Sequence, residues 1–147
     1  MLKRKPYLLL LLTSLLLFVI GFVKSDETFD INIHDTYFVI AQNQLYWLFS
    51  LFFFFFFMIY FILEKLRFQW QRLLELIHVY GTVFFTLGMF FPYELIFKSP
   101  EFQLFDDYQR SNVYRSFFAL FFLIAQILLI INIFVAIIKK LRILATQ

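Results

Sequence analysis

Residues Val39–Leu63 read VIAQNQLYWLFSLFFFFFFMIYFIL, an apolar run that contains no Lys, Arg, Asp or Glu. Its centre is a block of consecutive Phe residues at positions 52–57. An uncharged apolar stretch of about 18 residues or more is typical of a membrane-spanning helix. A strand is not expected, because the run does not alternate and an open sheet edge cannot be satisfied in lipid. The run therefore predicts a helix that crosses a bilayer.

Further apolar runs lie on both sides of this one. The sequence thus predicts four transmembrane helices, at about Tyr7–Val23, Val39–Leu63, Leu73–Phe97 and Ser116–Ile138. No repeat and no linker divides them, so residues 1–147 are expected to form a single transmembrane domain. The expected fold class is all-α, a polytopic four-helix bundle in the membrane.

The overall composition argues against a soluble domain. Of the 147 residues, 63% are hydrophobic and 16% are charged, whereas soluble domains average about 45–50% and about 25%. A domain of this size leaves too much surface exposed to hide so many apolar side chains. The chain has no Cys, which excludes disulfides, thiolate zinc sites and cysteine nucleophiles. The net charge is +3, and the charged residues flank the apolar runs. Lipids and not nucleic acid are therefore the expected partner.

Basic residues in the short connections predict the orientation, because cytoplasmic loops carry an excess of Lys and Arg. One side has nine: Lys3, Arg4, Lys5, Lys65, Arg67, Arg72, Lys139, Lys140 and Arg142. The other side has four: Lys24, Lys98, Arg110 and Arg115. Both termini are therefore expected in the cytoplasm.

The first apolar run has a second interpretation. A basic cluster followed by an apolar stretch also describes a secretory signal, and Val23-Lys24-Ser25 would be its cleavage site. The run is long for a signal core, and the site lacks the usual Ala-x-Ala pattern. An uncleaved first helix is the preferred prediction.

The densest polar segment precedes the second span. It runs from Asp30 to Gln44 and contains His34, Asp35 and Thr36. A side-chain oxygen of Asp35 or Thr36 is expected to cap the helix. Gln42 and Gln44 are two residues apart and should face different neighbours, with which they can hydrogen-bond.

Three residues are candidate ligands. His34 and Asp35 form half of a possible outer-side metal site, because imidazole and carboxylate are ordinary ligands. The alternative is that both serve as caps and polar contacts. His78 lies close to Glu75 and is expected to pair with a carboxylate, with haem or metal ligation as the alternative. Polar Gln126 and Asn132 in the last span are expected to bond to neighbouring helices.

The chain shows no catalytic constellation. No Ser or Cys nucleophile stands beside a His, no glycine loop would cradle a phosphate, and no row of charges crosses the spans.

Three stretches resemble the C-terminal part of subunit I of the haem–copper terminal oxidases. Asp30-Ile-Asn-Ile-His34-Asp35-Thr36-Tyr37-Phe-Val-Ile-Ala41 is similar to an outer-side segment of that family. His78 followed by Gly88 and Phe90-Phe91-Pro92 is similar to its next helix, and Asp106-Asp107-Tyr108 to the approach to its final helix. The resemblance implies that the chain corresponds to the last four of twelve helices, with the His-Asp-Thr-Tyr end outside.

The chain departs from the family at the haem ligands. The family continues with Ala-His-Phe-His, whose two His are the axial ligands of two haems, whereas Gln42 and Gln44 stand at those positions here. A carboxamide is a poor haem ligand. The remaining haem and copper ligands of the family lie on earlier helices, and its Arg-Arg pair has no counterpart near Lys98-Ser99-Pro100. His34 and Asp35 match family residues beside the outer metal ion and a haem propionate.

These observations leave three expectations for function. The first is a non-catalytic integral membrane protein, with no cofactor, that packs against other membrane proteins. The second is an accessory or assembly component of a respiratory terminal oxidase such as cytochrome c oxidase. The third is a redox protein that binds haem through His34 or His78. The expected location is a bacterial inner (cytoplasmic) membrane.

Overall fold

The computed structural model describes residues 5–24, 28–33, 36–93, 96 and 105–145. These residues are mostly helical, as the sequence predicts. The elements in chain order are α1 (Leu8–Val23), β1 (Thr28–Ile33), β2 (Thr36–Ala41), α2 (Gln42–Lys65), α3 (Arg72–Met89) and α4 (Phe105–Ala145). The chain divides into two compact units, Met1–Arg67 and Phe68–Gln147. That all four helices belong to a single domain stays a prediction.

The first unit is built on an antiparallel pair formed by α1 and α2. At mid-length the two helices exchange hydrogen bonds: the Ser14 hydroxyl donates to the Ser50 carbonyl at 2.8 Å, and the Ser50 hydroxyl to the Ser14 carbonyl at 2.9 Å. Both serines are buried. Small residues let helix backbones approach closely. At this position each serine hydroxyl can therefore reach the main-chain carbonyl of the other helix.

A β-hairpin connects α1 to α2, and the all-α prediction lacked it. Strands β1 and β2 pair antiparallel, with Thr28 opposite Ala41 and Ile33 opposite Thr36. Both strands are rich in β-branched and aromatic residues, which favour a pleated sheet over a helix. Local propensity thus prevails over the apolar content that had suggested helix from Val39 onward.

The start of α2 corrects the predicted cap. The sequence predicted a cap at Asp35 or Thr36, but Thr36 lies in β2 and the helix begins at Gln42. The preceding residue, Ala41, has extended backbone and makes no side-chain capping bond. The predicted cap is wrong because the residues between Thr36 and Ala41 are committed to strand pairing.

The second unit is an antiparallel pair formed by α3 and α4. The C-terminal half of α3 packs on α4 through aromatic rings: Phe85 stacks on Phe121 with centroids 5.5 Å apart, and Phe84 meets Phe118 edge-on at 5.9 Å. Ala125 lies opposite Gly81. Stacked and edge-on arrangements are those that aromatic quadrupoles prefer, so the rings orient as well as fill the interface.

The helix limits in this unit differ from the predicted spans. The span predicted over Leu73–Phe97 ends as a helix at Met89, three residues before Pro92. Proline disfavours helical backbone in the residue before it, so a helix end ahead of Pro92 is expected. The span predicted over Ser116–Ile138 lies within α4, which extends to Phe105 and Ala145. Hydropathy missed these ends because polar residues such as Asn112 also sustain a helix.

Two helices of the described chain are long and apolar enough to cross a membrane. They are α2, and the part of α4 from Ser111 to Ile143. Helix α1 is apolar but shorter, with 16 residues. Within the apolar windows of the two long helices only 28% of the residues are buried. Four membrane crossings stay a prediction.

Gly88 offers a test of the α3–α4 packing. A Cβ atom there would overlap the Phe118 ring, whereas at Gly81 the nearest atom would be 3.4 Å away, on Phe85. We expect Gly88→Ala to destabilise the protein by about 1–3 kcal/mol through overpacking. Gly81→Ala is the matched control and should be neutral or stabilising by up to about 1 kcal/mol, because Ala favours helix. Thermal unfolding in detergent measures both, and equal effects would contradict this packing.

Candidate functional site

The most polar region of the described interior lies between α3 and α4. We call it the polar cluster, and it consists of Glu75, His78, Thr82, Gln126 and Asn132. Glu75, His78 and Thr82 are three and four residues apart, which places them on one face of α3. The relative exposure of His78 and Thr82 is 0%, that of Asn132 1% and that of Glu75 4%. Buried polar groups of this kind require hydrogen-bond partners.

Gln126 organises the centre of the cluster. Its amide nitrogen donates to the Phe122 carbonyl at 2.9 Å and to the Thr82 hydroxyl at 3.3 Å. Its amide oxygen lies 3.0 Å from Nε2 of His78. Since a carboxamide oxygen only accepts, His78 must donate from Nε2. The network therefore assigns the tautomer of His78, whose Nε2 hydrogen is directed at Gln126.

Two residues of the cluster, Glu75 and Asn132, are bonded to the segment that precedes α3. The indole Nε1 of Trp70 donates to Oε2 of Glu75 at 2.9 Å, and the Gln71 main-chain N–H donates to Oδ1 of Asn132 at 2.8 Å. The second bond satisfies a main-chain donor at the start of α3, where helical partners are absent. These bonds thus tie the segment before α3 to both helices and fix the position at which α3 begins.

The arrangement is a hydrogen-bonding network. Among residues 5–24, 28–33, 36–93, 96 and 105–145, no group of three His, Cys, Asp or Glu side chains is placed to hold a metal ion. The sequence predicted a carboxylate partner for His78, and the bond found in the cluster goes to Gln126. The prediction of bonds to neighbouring helices is confirmed for Gln126, which contacts His78 in α3, whereas the bond to Asn132 comes from Gln71, the residue before α3.

Gln42 and Gln44, which the resemblance places at haem-ligand positions, lie at the start of α2. Gln42 is half-buried, and its side-chain amide lies 3.5 Å from the Thr28 carbonyl, to which it donates across the hairpin. Gln44 is exposed, and its main-chain N–H donates to Oδ1 of Asn43 at 2.7 Å. His34 and Asp35 lie outside the described residues. Gln42 and Gln44 belong to the first unit, and the polar cluster belongs to the second.

The sequence interpretation missed a second polar group, which lies at the end of the α1–α2 pair. Lys5 donates to Oε1 of Glu64 at 2.6 Å, and the Tyr7 hydroxyl donates to Oε2 of the same carboxylate. The bond from Glu64 raises the pKa of Lys5, so its ammonium stays charged. A basic residue before one apolar run and an acid at the end of the next was the available signal for this pair.

Comparisons with known proteins add no relative. No family model matches the chain, and no curated protein or solved structure shows a significant match.

A double-mutant cycle tests the His78–Gln126 bond. We expect His78→Ala and Gln126→Ala to destabilise the protein individually and the double variant to lose less than their sum. The coupling should be about 0.6 kcal/mol and at most about 1.7 kcal/mol, as for other bonds between membrane helices. Equilibrium unfolding in mixed detergent measures it.

The control cycle combines His78→Ala with Asn112→Ala. Asn112 lies fourteen residues before Gln126 on α4, about 21 Å along the helix. Its effect should add to that of His78 within about 0.3–0.5 kcal/mol. A zero coupling for His78 with Gln126 would contradict the network.

Proposed function

We propose that this chain is an integral membrane protein that crosses the bilayer four times, has both termini in the cytoplasm, and performs no redox chemistry of its own. In this proposal the role of the chain is to pack against lipids and other membrane proteins.

The observation that carries this proposal is the exposure of large apolar side chains along the helices. Phe55 in α2 has a relative exposure of 58%, Phe84 in α3 of 61% and Phe134 in α4 of 61%. The surface of a soluble protein does not present contiguous apolar patches on this scale, which mark membrane or protein contact sites. A core helix of a soluble protein would be mostly buried, in contrast to α2 and α4.

Helices α1 and α3 complete the proposed set of four crossings. Each is the antiparallel partner of a long apolar helix, and the Ser14–Ser50 bonds join α1 to α2. Removal of α1 by a signal peptidase would leave the Ser50 hydroxyl without this partner, which supports the uncleaved form. The excess of Lys and Arg on one side then supports a cytoplasmic location for both termini.

The absence of redox chemistry is proposed from the side chains at the candidate positions. Gln42 and Gln44 are poor iron ligands, and Nε2 of His78 already donates to Gln126. The role as an accessory or assembly component of a terminal oxidase follows only from the resemblance and stays a narrower form of the same proposal.

The absence of Cys makes the topology directly testable, because a single introduced Cys has no background. We expect a membrane-impermeant maleimide to label Thr36→Cys in intact spheroplasts and to label Gln69→Cys only after permeabilisation. Both positions are exposed in the structure, so protection reflects the membrane side. Labelling of Gln69→Cys from outside would overturn the proposed orientation, and release of the protein by alkaline carbonate would overturn membrane insertion.

A further inference from the structure

Helix α3 presents a narrow exposed stripe in addition to the face that carries the polar cluster. Its members are large side chains with a relative exposure of 48–66%, and they follow each other at alternating steps of four and three residues. We call this stripe the seam, and it consists of Leu73, Ile77, Tyr80, Phe84 and Leu87. All other residues of the helix between positions 74 and 89 are buried or half-buried.

The spacing of the seam is that of a contact between two helices. Alternating steps of four and three residues average 3.5, the heptad period at which two α-helices pack along their length. Membrane helices mostly cross in the same left-handed geometry as soluble coiled coils. Helix α2 differs, because Leu51 and Phe52, and again Phe54 and Phe55, are exposed as consecutive pairs. Such pairs form a broad face, whereas the seam is one residue wide.

Tyr80 brings a polar group to the middle of the seam. It lies eight residues after the start of α3 and nine before its end, about 12 Å and 13 Å along the axis. Among the residues that the structure describes, the Tyr80 hydroxyl has no hydrogen-bond partner. A hydroxyl group that enters an apolar medium without a partner loses free energy. In the proposed topology Tyr80 therefore needs a partner from another molecule.

A second copy of the chain has the matching surface. Copies in one membrane share an orientation, because the basic residues set it, so two α3 helices meet in parallel. A two-fold axis then places each seam residue opposite its counterpart in the second copy. A hydroxyl group both donates and accepts hydrogen bonds, so two Tyr80 side chains can bond to each other. The seam contains no Lys, Arg, Asp or Glu that would repel its own copy.

We propose that the seam is a homodimer interface, formed by the α3 helices of two parallel copies with their Tyr80 hydroxyls hydrogen-bonded at its centre. The polar cluster then holds α3 against α4 within one chain, and the seam holds α3 against the second copy. The apolar seam residues pack in layers on both sides of the Tyr80 pair. This proposal rests on the membrane insertion proposed above.

Cross-linking of single-Cys variants in native membranes tests the interface, because the chain has no Cys of its own. The seam variants are Ile77→Cys and Phe84→Cys. Each position faces its counterpart in the proposed dimer, so the two thiols come within reach of a disulfide. Oxidation by air and copper phenanthroline, followed by non-reducing electrophoresis, measures the fraction of dimer.

Two positions on α4 are matched controls. Ile127→Cys replaces a side chain that is 54% exposed and follows Gln126, the partner of His78. Phe117→Cys replaces one that is 56% exposed and precedes Phe118, which meets Phe84. The controls therefore share the exposure and the level along the helix pair of the two seam variants.

We expect disulfide-linked dimers from both seam variants and monomers from both controls. Equal cross-linking of the controls would overturn the interface, because it would reflect random collision in the membrane. Monomers from all four variants would also overturn it and leave the seam facing lipid. A disulfide to a protein of different mass would overturn the second copy as the occupant and assign the seam to another membrane protein.

Tyr80→Phe tests the central bond, because it removes the hydroxyl and keeps the ring. We expect the dissociation constant of the dimer, measured by sedimentation equilibrium in density-matched detergent, to rise roughly threefold to twentyfold. The control, Tyr114→Phe, removes a hydroxyl from an exposed Tyr of α4 and should leave the constant unchanged. An unchanged constant for Tyr80→Phe would overturn the bonded pair. Thermal unfolding should be the same for both variants, which separates loss of association from a failure to fold.

Alkaline carbonate extraction distinguishes the two proposals. A protein that stays in the membrane and forms no seam cross-link contradicts only the interface. A wild-type protein that is extracted contradicts membrane insertion itself.

Discussion

Main-chain N–H and C=O groups that leave water must find partners within the protein, and in hydrocarbon the loss of each bond costs several kcal/mol. A helix meets this requirement for every interior residue, so long apolar runs such as α2 fold without help from their side chains. Those side chains are then left exposed, as Phe55 and Leu51 are, and in the proposed topology they face lipid. Where the chain is not helical, β1 and β2 pair their main chains with each other. Polar contacts are consequently concentrated where two helices meet.

The sequence predicted the centres of the helices and failed at several of their ends. Hydropathy located α1 within one residue, because its apolar run and its helix coincide. It placed Thr36–Ala41 in or beside a helix, since apolar content does not separate strand from helix in a short segment. It also carried the third helix past Pro92, where backbone sterics and not polarity end the helix. In contrast, α4 is longer at both ends than the apolar run that predicted it, because polar residues can also adopt helical structure.

The polar cluster was predictable only in part. The sequence indicated that Gln126 would bond across the helix interface, since an amide in an apolar span needs a partner. It did not indicate that His78 would be that partner, because the pairing depends on the register of α3 against α4. Once formed, the network directs the hydrogen-bonding groups of His78, Gln126 and Thr82 toward each other. The proposal that the chain binds no haem rests on this network and on the carboxamides of Gln42 and Gln44.

The central claim of this account is the proposal that the chain binds no haem. The most direct measurement is the dithionite-reduced minus oxidised absorption spectrum of the protein purified in mild detergent from its own membranes. The account predicts no haem bands. Haem at about one per chain, lost on His78→Ala, would contradict it and would make the imidazole of the polar cluster a ligand.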